Sequence, residues 1–569
     1  MTVTSPYQSL LQQSLPRIFS LLDQNPISST FGCFDRTYWH YKMVTDIPSM
    51  AYQQLTLVLA LLYKNYKSFS LPYPQDRLLP LIQGALLFWM RHQHREGCFD
   101  EWYKNERSFC VTAFSAYAVT EVLLLLKEEL DPQWIHPMKP SLQKAGVWLT
   151  RHQNSYVTNQ MAMSLLALHN LTHLLEESSF QKAYEQRKAH LFSRQIEEGW
   201  FPEYGGPDIG YVSLTLDAIA KDYQKTNDKK NIEILQKGYD FLRHFFNPDG
   251  SIGGDYGSRN SQYIFPHGLE ILKNTLPQAH DCLEEFYTSL QKNKVPTPLS
   301  VDDRYFAYFF MPNFLQAHLE NVRQSHSTPG EPVEKSHLPS EVSPHDFFLP
   351  KAKILIFKNK AYSAIVEGNK CGILKVYREE DLLYSDFGYW VKTSSQKRLT
   401  NQSFKPTHCS VSTSPLTFKI EGYFSKLPFS SHPMAQHPIA FSLFNRIFLS
   451  SALVSHWFNH WVKKNFIFKI KKQGLLFCKE ILFENNKIVM SETLRLCLKD
   501  SIIDLKPLSL ALTPYSPTSH LQDVLVPKLS LALPTSDLKK ICTLLNVDKK
   551  ATILRTLHIP TAKLETVIS

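Results

Sequence analysis

Gly199-Trp200-Phe201-Pro202-Glu203-Tyr204 opens on a glycine, an aromatic and an acid, and this trio returns along the first half of the chain. The other copies are Gly32-Cys33-Phe34-Asp35, Gly97-Cys98-Phe99-Asp100-Glu101-Trp102-Tyr103 and Asp249-Gly250-Ser251-Ile252-Gly253-Gly254-Asp255-Tyr256. Upstream of most copies an aromatic is followed by Arg and then His or Gln: Trp89…Arg91-His92, Trp148…Arg151-His152, Phe192…Arg194-Gln195 and Phe241…Arg243-His244. From residue 199 to 250 is 51 positions, and from 97 to 199 is 102 with a degenerate copy near Asn154 between, so the unit is about fifty residues. That length suits a helical hairpin with its loop. Units of this kind bury their apolar faces against their neighbours. If they close into a ring, the loops at one end converge on a cavity lined with carboxylates and aromatic rings.

Apolar residues at three- and four-residue spacing run from about Pro48 to Asn321. The clearest predicted helices are 54–66, 78–92, 108–129, 140–152, 159–175, 210–225, 232–246 and 268–292, punctuated by Gly and Pro. The stretch Val111 to Leu126 is apolar on most sides, as expected of a helix wrapped by others. Pro, Ser and charged residues across 325–350 read as a linker. Beyond it the period changes to two at 353–358, 362–367, 372–377, 466–471, 475–484 and 487–490, which predicts antiparallel strands. The stretch 514–569 holds strand-like and short helical pieces that the pattern does not place. The expected organisation is multidomain α+β: an incomplete (α/α) toroid at 1–324, a linker at 325–350 and an antiparallel β-sandwich at 351–569.

At 569 residues the chain exceeds one compact core, and its 43% hydrophobic and 20% charged residues are those of a globular protein, excluding a disordered or fibrous one. Its 62 Lys and Arg against 52 Asp and Glu give a net charge of +10, compatible with anionic glycans, membrane surfaces or nucleic acid. Nine dispersed cysteines, without metal-ligand or redox spacing, and no secretory signal at Met1 predict reduced thiols in a cytoplasm. The apolar segment 439–462 has the length of a membrane span but carries Asn445, Arg446, His456, Asn459 and His460. It is expected to be buried or interfacial, and Lys463 and Lys464 after it leave peripheral attachment to anionic lipid at an inner membrane as the alternative. The run Lys469 to Lys472 reads as a solvated strand face, with a glycan- or lipid-facing edge as its alternative.

A helical toroid of such hairpins followed by a β domain resembles the heparinase II/III-like polysaccharide lyases of the α/α-toroid superfamily. The residues that carry the resemblance are Asn159 heading a helix, Tyr211 after the loop Glu203 to Gly210, then Arg259 and His267. Those lyases similarly hold an Asn on one inner helix and a Tyr about one hairpin later. The resemblance implies a β-elimination on an acidic or complex polysaccharide, with the cleft between toroid and β domain. Eliminating a 4-linked group from a uronate requires neutralising its carboxylate, a task for Asn159 or Arg259. It also requires a base and an acid, roles open to Tyr211 if cationic neighbours lower its pKa, with His267 as partner. The chain departs from the lyase pattern in lacking a His between Asn159 and Tyr211 near the loop, where only Glu203 and Asp208 stand.

The candidate catalytic residues are thus Asn159, Glu203, Tyr211 and His267. The candidate substrate contacts are Asp100, Trp102, Tyr204, Asp208, Asp255, Tyr256, Arg259 and Asn260. Each has a plainer reading: Asn159 as a helix cap, Tyr211 as a core aromatic, Asp35 and Asp100 as turn residues. His92 and His94 lack a third ligand at metal spacing, and no metal or cofactor is expected. Three other functions compete. Asp100, Glu203 and Asp255 could form the acid and base of a toroid glycoside hydrolase. A non-catalytic glycan-binding factor in surface-polysaccharide biosynthesis fits a cytoplasmic chain. A terpene-cyclase-like toroid is disfavoured by the absence of an Asp-rich cluster, Val301-Asp302-Asp303-Arg304 being the nearest approach. The expected partner is a poly- or oligosaccharide, with no nucleic acid; the sequence leaves oligomeric state open.

Overall fold

A computed structural model describes residues 5–41, 46–325, 345–402, 408–426, 437–462, 472–497, 499–511 and 533–569. Among the described residues, six helices line the centre of the N-terminal region: Leu55–Lys64, Phe109–Leu125, Thr158–Leu175, Ile209–Thr226, His267–Leu272 and Met311–Ser325. Each lies against the next, and the last returns to the first, where Gln54 Nε2 donates to the Tyr308 carbonyl at 2.7 Å. An outer layer precedes them one by one: Gln8–Leu21, Gln75–Arg91, Lys139–Arg151, Ser178–Ser193, Lys229–Leu242 and Pro277–Gln291. The inner helices are buried nearly all round, Thr158 to Leu171 without a break, whereas outer helices such as Lys229–Leu242 bury one stripe. The toroid is incomplete at its fifth inner helix, His267–Leu272, which is only 6 residues long and whose place is shared by the extended stretch before it.

The repeated phrase is the loop from each outer helix to its inner one, so all copies lie at one end. Gln93 Nε2 donates to the Gly97 carbonyl and to the Ser141 carbonyl on the next outer helix, at 3.1 and 2.9 Å. Gln195 repeats this to Gly199 and Ile234 at 3.0 and 2.8 Å. Gly199 has φ +96°, and a Cβ on it would run into the Lys237 carbonyl. Glycine is kept here both for the left-handed backbone and for the contact between hairpins.

The helix expected at 268–292 is two helices, because Pro277 starts the second, where its missing N–H costs nothing. Helices Gln8–Leu21, Ser178–Ser193 and Met311–Ser325 add to those predicted.

The C-terminal region is two antiparallel sheets. The first is a meander of β1 (His345–Leu349), β2 (Ile354–Lys358), β3 (Ser363–Glu367), β4 (Ile373–Arg378) and β5 (Asp381–Asp386). The strand β1 falls inside the stretch read as linker; 326–344 lie outside the described residues. The second sheet contains β6 (Tyr389–Thr393), β7 (Arg398–Thr400), β8 (His408–Thr413), β9 (Leu416–Lys426), β10 (Lys472–Phe483), β11 (Lys487–Leu496), β12 (Ile502–Pro507), β13 (Lys550–His558) and β14 (Lys563–Ile568). Its order is β12-β6-β7-β9-β10-β11-β13-β14, with β8 on β9. The tail left unplaced by pattern supplies β13, β14 and the helix Thr535–Val547. The strand expected at 466–471 lies outside the described residues.

The sheets pack through rings such as Phe357 and Phe483, 5.2 Å apart, and through a buried ionic network. Lys479 on β10 reaches Asp386 on β5 at 2.9 Å, and Arg555 on β13 bridges Asp386 and Glu492 at 3.1 and 2.8 Å. Two helices between β9 and β10, Pro438–Ile447 and Ala452–Val462, fold back over the toroid loop at Tyr103.

Candidate active site

The chemistry-bearing residues gather where the third, fourth and fifth loops meet. Glu203 is fully buried, and its Oε1 accepts the Asn159 N–H at 2.8 Å at the start of the inner helix Thr158–Leu175. Burial pushes its carboxyl up to about 8, partly offset by hydrogen bonds from Asn159. A carboxyl at the head of one inner helix from the loop of the next is a cap that locks two hairpins together. Asp208 does the same for its own helix: it accepts from Tyr211 N at 3.2 Å and from Arg259 N at 2.8 Å. Ser258 completes the seam, N–H to the Pro207 carbonyl at 2.8 Å and Oγ to the Glu203 carbonyl at 2.6 Å. Asn159, Glu203 and Asp208 therefore hold the loops in register.

That seam sets Arg259 above it. The guanidinium lies 4.6 Å from the centroid of the Tyr204 ring, a cation–π contact, and Tyr211 and Tyr305 are among the groups whose charge acts on it. Among the described residues no carboxylate lies within ion-pairing distance of it. The rings of Tyr211 and Tyr263 meet edge to face at 6.2 Å, and Tyr305 is close enough for its charge to act on the Tyr211 phenol. Burial holds the Tyr211 phenol well above its usual range, with the neighbouring tyrosines adding to the shift and only Arg259 opposing it. The lowered pKa expected for Tyr211 is thereby corrected: three phenols surround it against one cation. Tyr305 is raised by burial too, but Arg304 and Arg259 both pull it down.

A second arginine stands beside the first. Arg304 lies 4.1 Å from the centroid of the Trp102 ring and 5.5 Å from that of Tyr308, and it pairs with Glu101. Trp102 is 53% exposed, and Tyr41 and Tyr156 on the neighbouring loops are 54% and 56% exposed. The mouth thus offers open aromatic faces around two arginines. Glu106 accepts the N–H groups of Glu101 and Trp102 at 3.0 and 2.7 Å, and burial pushes it up to about 8.

Other expected site residues sit elsewhere. Asp100 accepts the N–H groups of Asn105 and Arg107 at 2.8 and 2.9 Å and pairs with His94 at 2.8 Å, the work of a turn residue. Asp255, Tyr256 and Asn260 are covered by the β domain: Lys375 pairs with Asp255, and Lys370 donates to Asn260 Oδ1 and to the Asp255 carbonyl. His267 is buried further along, beside Asn313, whose Oδ1 accepts its N–H at 3.1 Å. Burial holds its imidazole well below the usual range, with the charges of Lys221, about 15 Å down the inner helix from Tyr211, and of Arg323 adding to the shift. His267 is therefore a neutral core histidine apart from the tyrosine cluster. The carboxylates of Asp100, Glu203 and Asp255 are all buried, each in a separate loop contact, Glu203 through Oε1 alone, its Oε2 having no partner among the described residues. Among the described residues no three His, Cys, Asp or Glu side chains gather as a metal site, and all nine cysteines are free thiols.

Sequence reasoning missed Arg304, Tyr305, Tyr263, Lys370 and Lys375. Only Arg304 carried a signal, standing in the Val301-Asp302-Asp303-Arg304 stretch that was set aside.

No protein-family model matches the sequence, and no curated protein does. Solved structures do. The chondroitin AC lyase of Streptomyces coelicolor A3, in complex with chondroitin sulphate, superposes with a TM-score of 0.55 at 10% identity, over 89% of this chain and 68% of that one. A mutant of the same lyase superposes with a TM-score of 0.51 at 11% identity, over the same 89% and 68%. An α/α toroid closed by an antiparallel β-sandwich is thus a fold this chain shares with polysaccharide lyases.

Proposed function

We propose that the chain is a lyase that cleaves an acidic polysaccharide by β-elimination. The observation that carries this reading is Arg259, a guanidinium with no ion-pair partner among the described residues, fixed at the mouth of the toroid against Tyr204, amid the phenols of Tyr211 and Tyr305. A site built this way receives a carboxylate. Open rings at Tyr41, Trp102 and Tyr156 give the apolar faces of sugar rings something to lie on.

Arg259 neutralises the uronate carboxylate, which acidifies the adjacent C5–H. Tyr305, bracketed by Arg304 and Arg259, takes that proton as phenolate; the electron pair forms the C4=C5 bond and the C4–O bond breaks. Tyr211, held protonated by burial, gives its proton to the leaving oxygen, and transfer of the abstracted proton from Tyr305 to Tyr211 returns the pair to its starting state. The carboxylate mechanism of a hydrolase finds less support, since Asp100, Glu203 and Asp255 are all committed to loop contacts.

The test is incubation with a panel of uronate-containing polysaccharides, read as ultraviolet absorbance of the 4,5-unsaturated end. Product with the wild type, and its loss in Tyr211→Phe and Arg259→Ala, supports elimination. Reducing ends without absorbance would make the chain a hydrolase. Binding without any new ends would make it a glycan-binding factor.

A further inference from the structure

The helical hairpin between β9 and β10 carries apolar side chains on the face turned to the protein and on the face turned away from it. Toward the protein, Leu449 and Phe458 pack on Tyr103, while Asn445 Oδ1 accepts the Lys104 N–H at 2.9 Å and Ser455 Oγ donates to the Asn105 carbonyl at 2.8 Å. A second set of apolar residues faces outward. Leu453 is 85% exposed, Trp457 65%, Ile447 62%, Phe448 55% and Leu443 54%. Leu453, Trp457 and Trp461 follow one another at four-residue spacing and so form one stripe on the helix Ala452–Val462. Helix Pro438–Ile447 repeats this with Leu443 and Ile447. A contiguous face of this kind on a monomer marks an interaction site.

Charge decides the occupant. From Gly422 to Lys479 the sequence has eight Lys and Arg and no Asp or Glu, in a chain that elsewhere mixes both signs. Lys104, beneath the hairpin, is also exposed. Arg446 is held by Asp46 and Lys479 by Asp386, and the other six cations of this stretch are lysines with no acid near them in sequence. Tryptophans at an apolar face in such a stretch suit a bilayer, where indole sits at the headgroup level and lysine meets anionic lipid. Among the described residues no helix is long and apolar enough to cross a membrane, so the contact is one of lying on the surface. We infer that the hairpin Pro438–Val462 docks the protein peripherally on an anionic phospholipid bilayer, its Leu453–Trp457–Trp461 stripe entering the interface.

The experiment is co-sedimentation of the full chain with vesicles of phosphatidylcholine, with and without phosphatidylglycerol, alongside light scattering of the protein alone. The anionic vesicles are expected to take up the wild type and the neutral ones far less. The double variant Leu453→Ser, Trp457→Ser is expected to partition about tenfold less. Both positions are exposed, so the fold persists, which circular dichroism checks. Salt at about 0.5 M, which cuts the Debye length to roughly 4 Å, should release much of the bound protein. Equal uptake of wild type and variant would overturn the inference, as would no uptake by anionic vesicles. A wild-type dimer that the double variant abolishes would overturn it in favour of a second copy of the chain on this face.

Discussion

Replacing Glu203 by Gln tests whether this carboxyl belongs to the fold or to a solvent-facing mechanism. The side chain is fully buried, accepts the Asn159 N–H at 2.8 Å, and is pushed from its ordinary 4.5 up to about 8, chiefly by burial. A carboxyl raised in the folded state contributes stability that is intact below the unfolded value and is lost as pH climbs to the folded one. Each pH step inside that window is worth about 1.4 kcal/mol, so between about pH 5 and pH 8 the wild type loses up to ~4 kcal/mol from this group alone. Gln keeps an acceptor for Asn159 and carries no charge at any pH. The variant should match the wild type near pH 5 and exceed it by about 2–4 kcal/mol near pH 8.

Differential scanning calorimetry across pH reads this directly. For a protein of this size a gain of about 2–4 kcal/mol raises the toroid's Tm by several degrees, the effect per kcal/mol shrinking with chain length. A difference in Tm between the two proteins that does not change with pH would refute the reasoning. So would a variant less stable at alkaline pH, because that would mean the ionised carboxylate, drawn to the helix N-terminus, is the native form.

Three further outcomes follow from the same geometry. Gly199→Ala and Gly205→Ala share a positive φ, +96° and +97°, but a Cβ meets the Lys237 carbonyl at the first and nothing at the second. Gly205→Ala should cost about 1–2 kcal/mol of backbone strain, and Gly199→Ala a further ~1–3 kcal/mol, read by chemical denaturation. Lys375→Met leaves Asp255 charged and covered at the domain seam, at a cost of about 3–5 kcal/mol that the double variant with Asp255→Asn should largely restore, read by hydrogen exchange at 253–262. If Tyr305 is the base, its raised pKa requires kcat/KM to climb with pH from neutral into the alkaline range, since only the phenolate accepts the proton. A plateau reached near pH 7 would assign the base to a group of lower pKa.

Repetition made the fold legible. Gly32, Gly97, Gly199 and Gly250 all take positive φ because each hairpin must turn against the next outer helix, and a requirement imposed at every turn of the ring leaves a trace at every turn of the sequence. The break at Pro277 was written in the chain as well, and was overridden by an apolar periodicity that resumes on either side of it. The site is different, because it is built from what the repeats do not share. Asp100, Glu203 and Asp255 occupy related loop positions, yet the first ties a turn, the second caps a helix and the third meets a lysine of another domain. No local pattern distinguishes those fates, for they depend on which surface closes over each loop. Arg259 was legible as a residue beside glycines; its lack of an ion-pair partner among the described residues was not, being set by Asp208 choosing the backbone N–H of that same arginine over its guanidinium. Lys370 and Lys375 draw Asp255 and Asn260 into the domain seam from more than a hundred residues away, so those two loop residues are covered by the β domain while Trp102 stays exposed, and the proposed site lies on the side of Trp102, Tyr211 and Arg304.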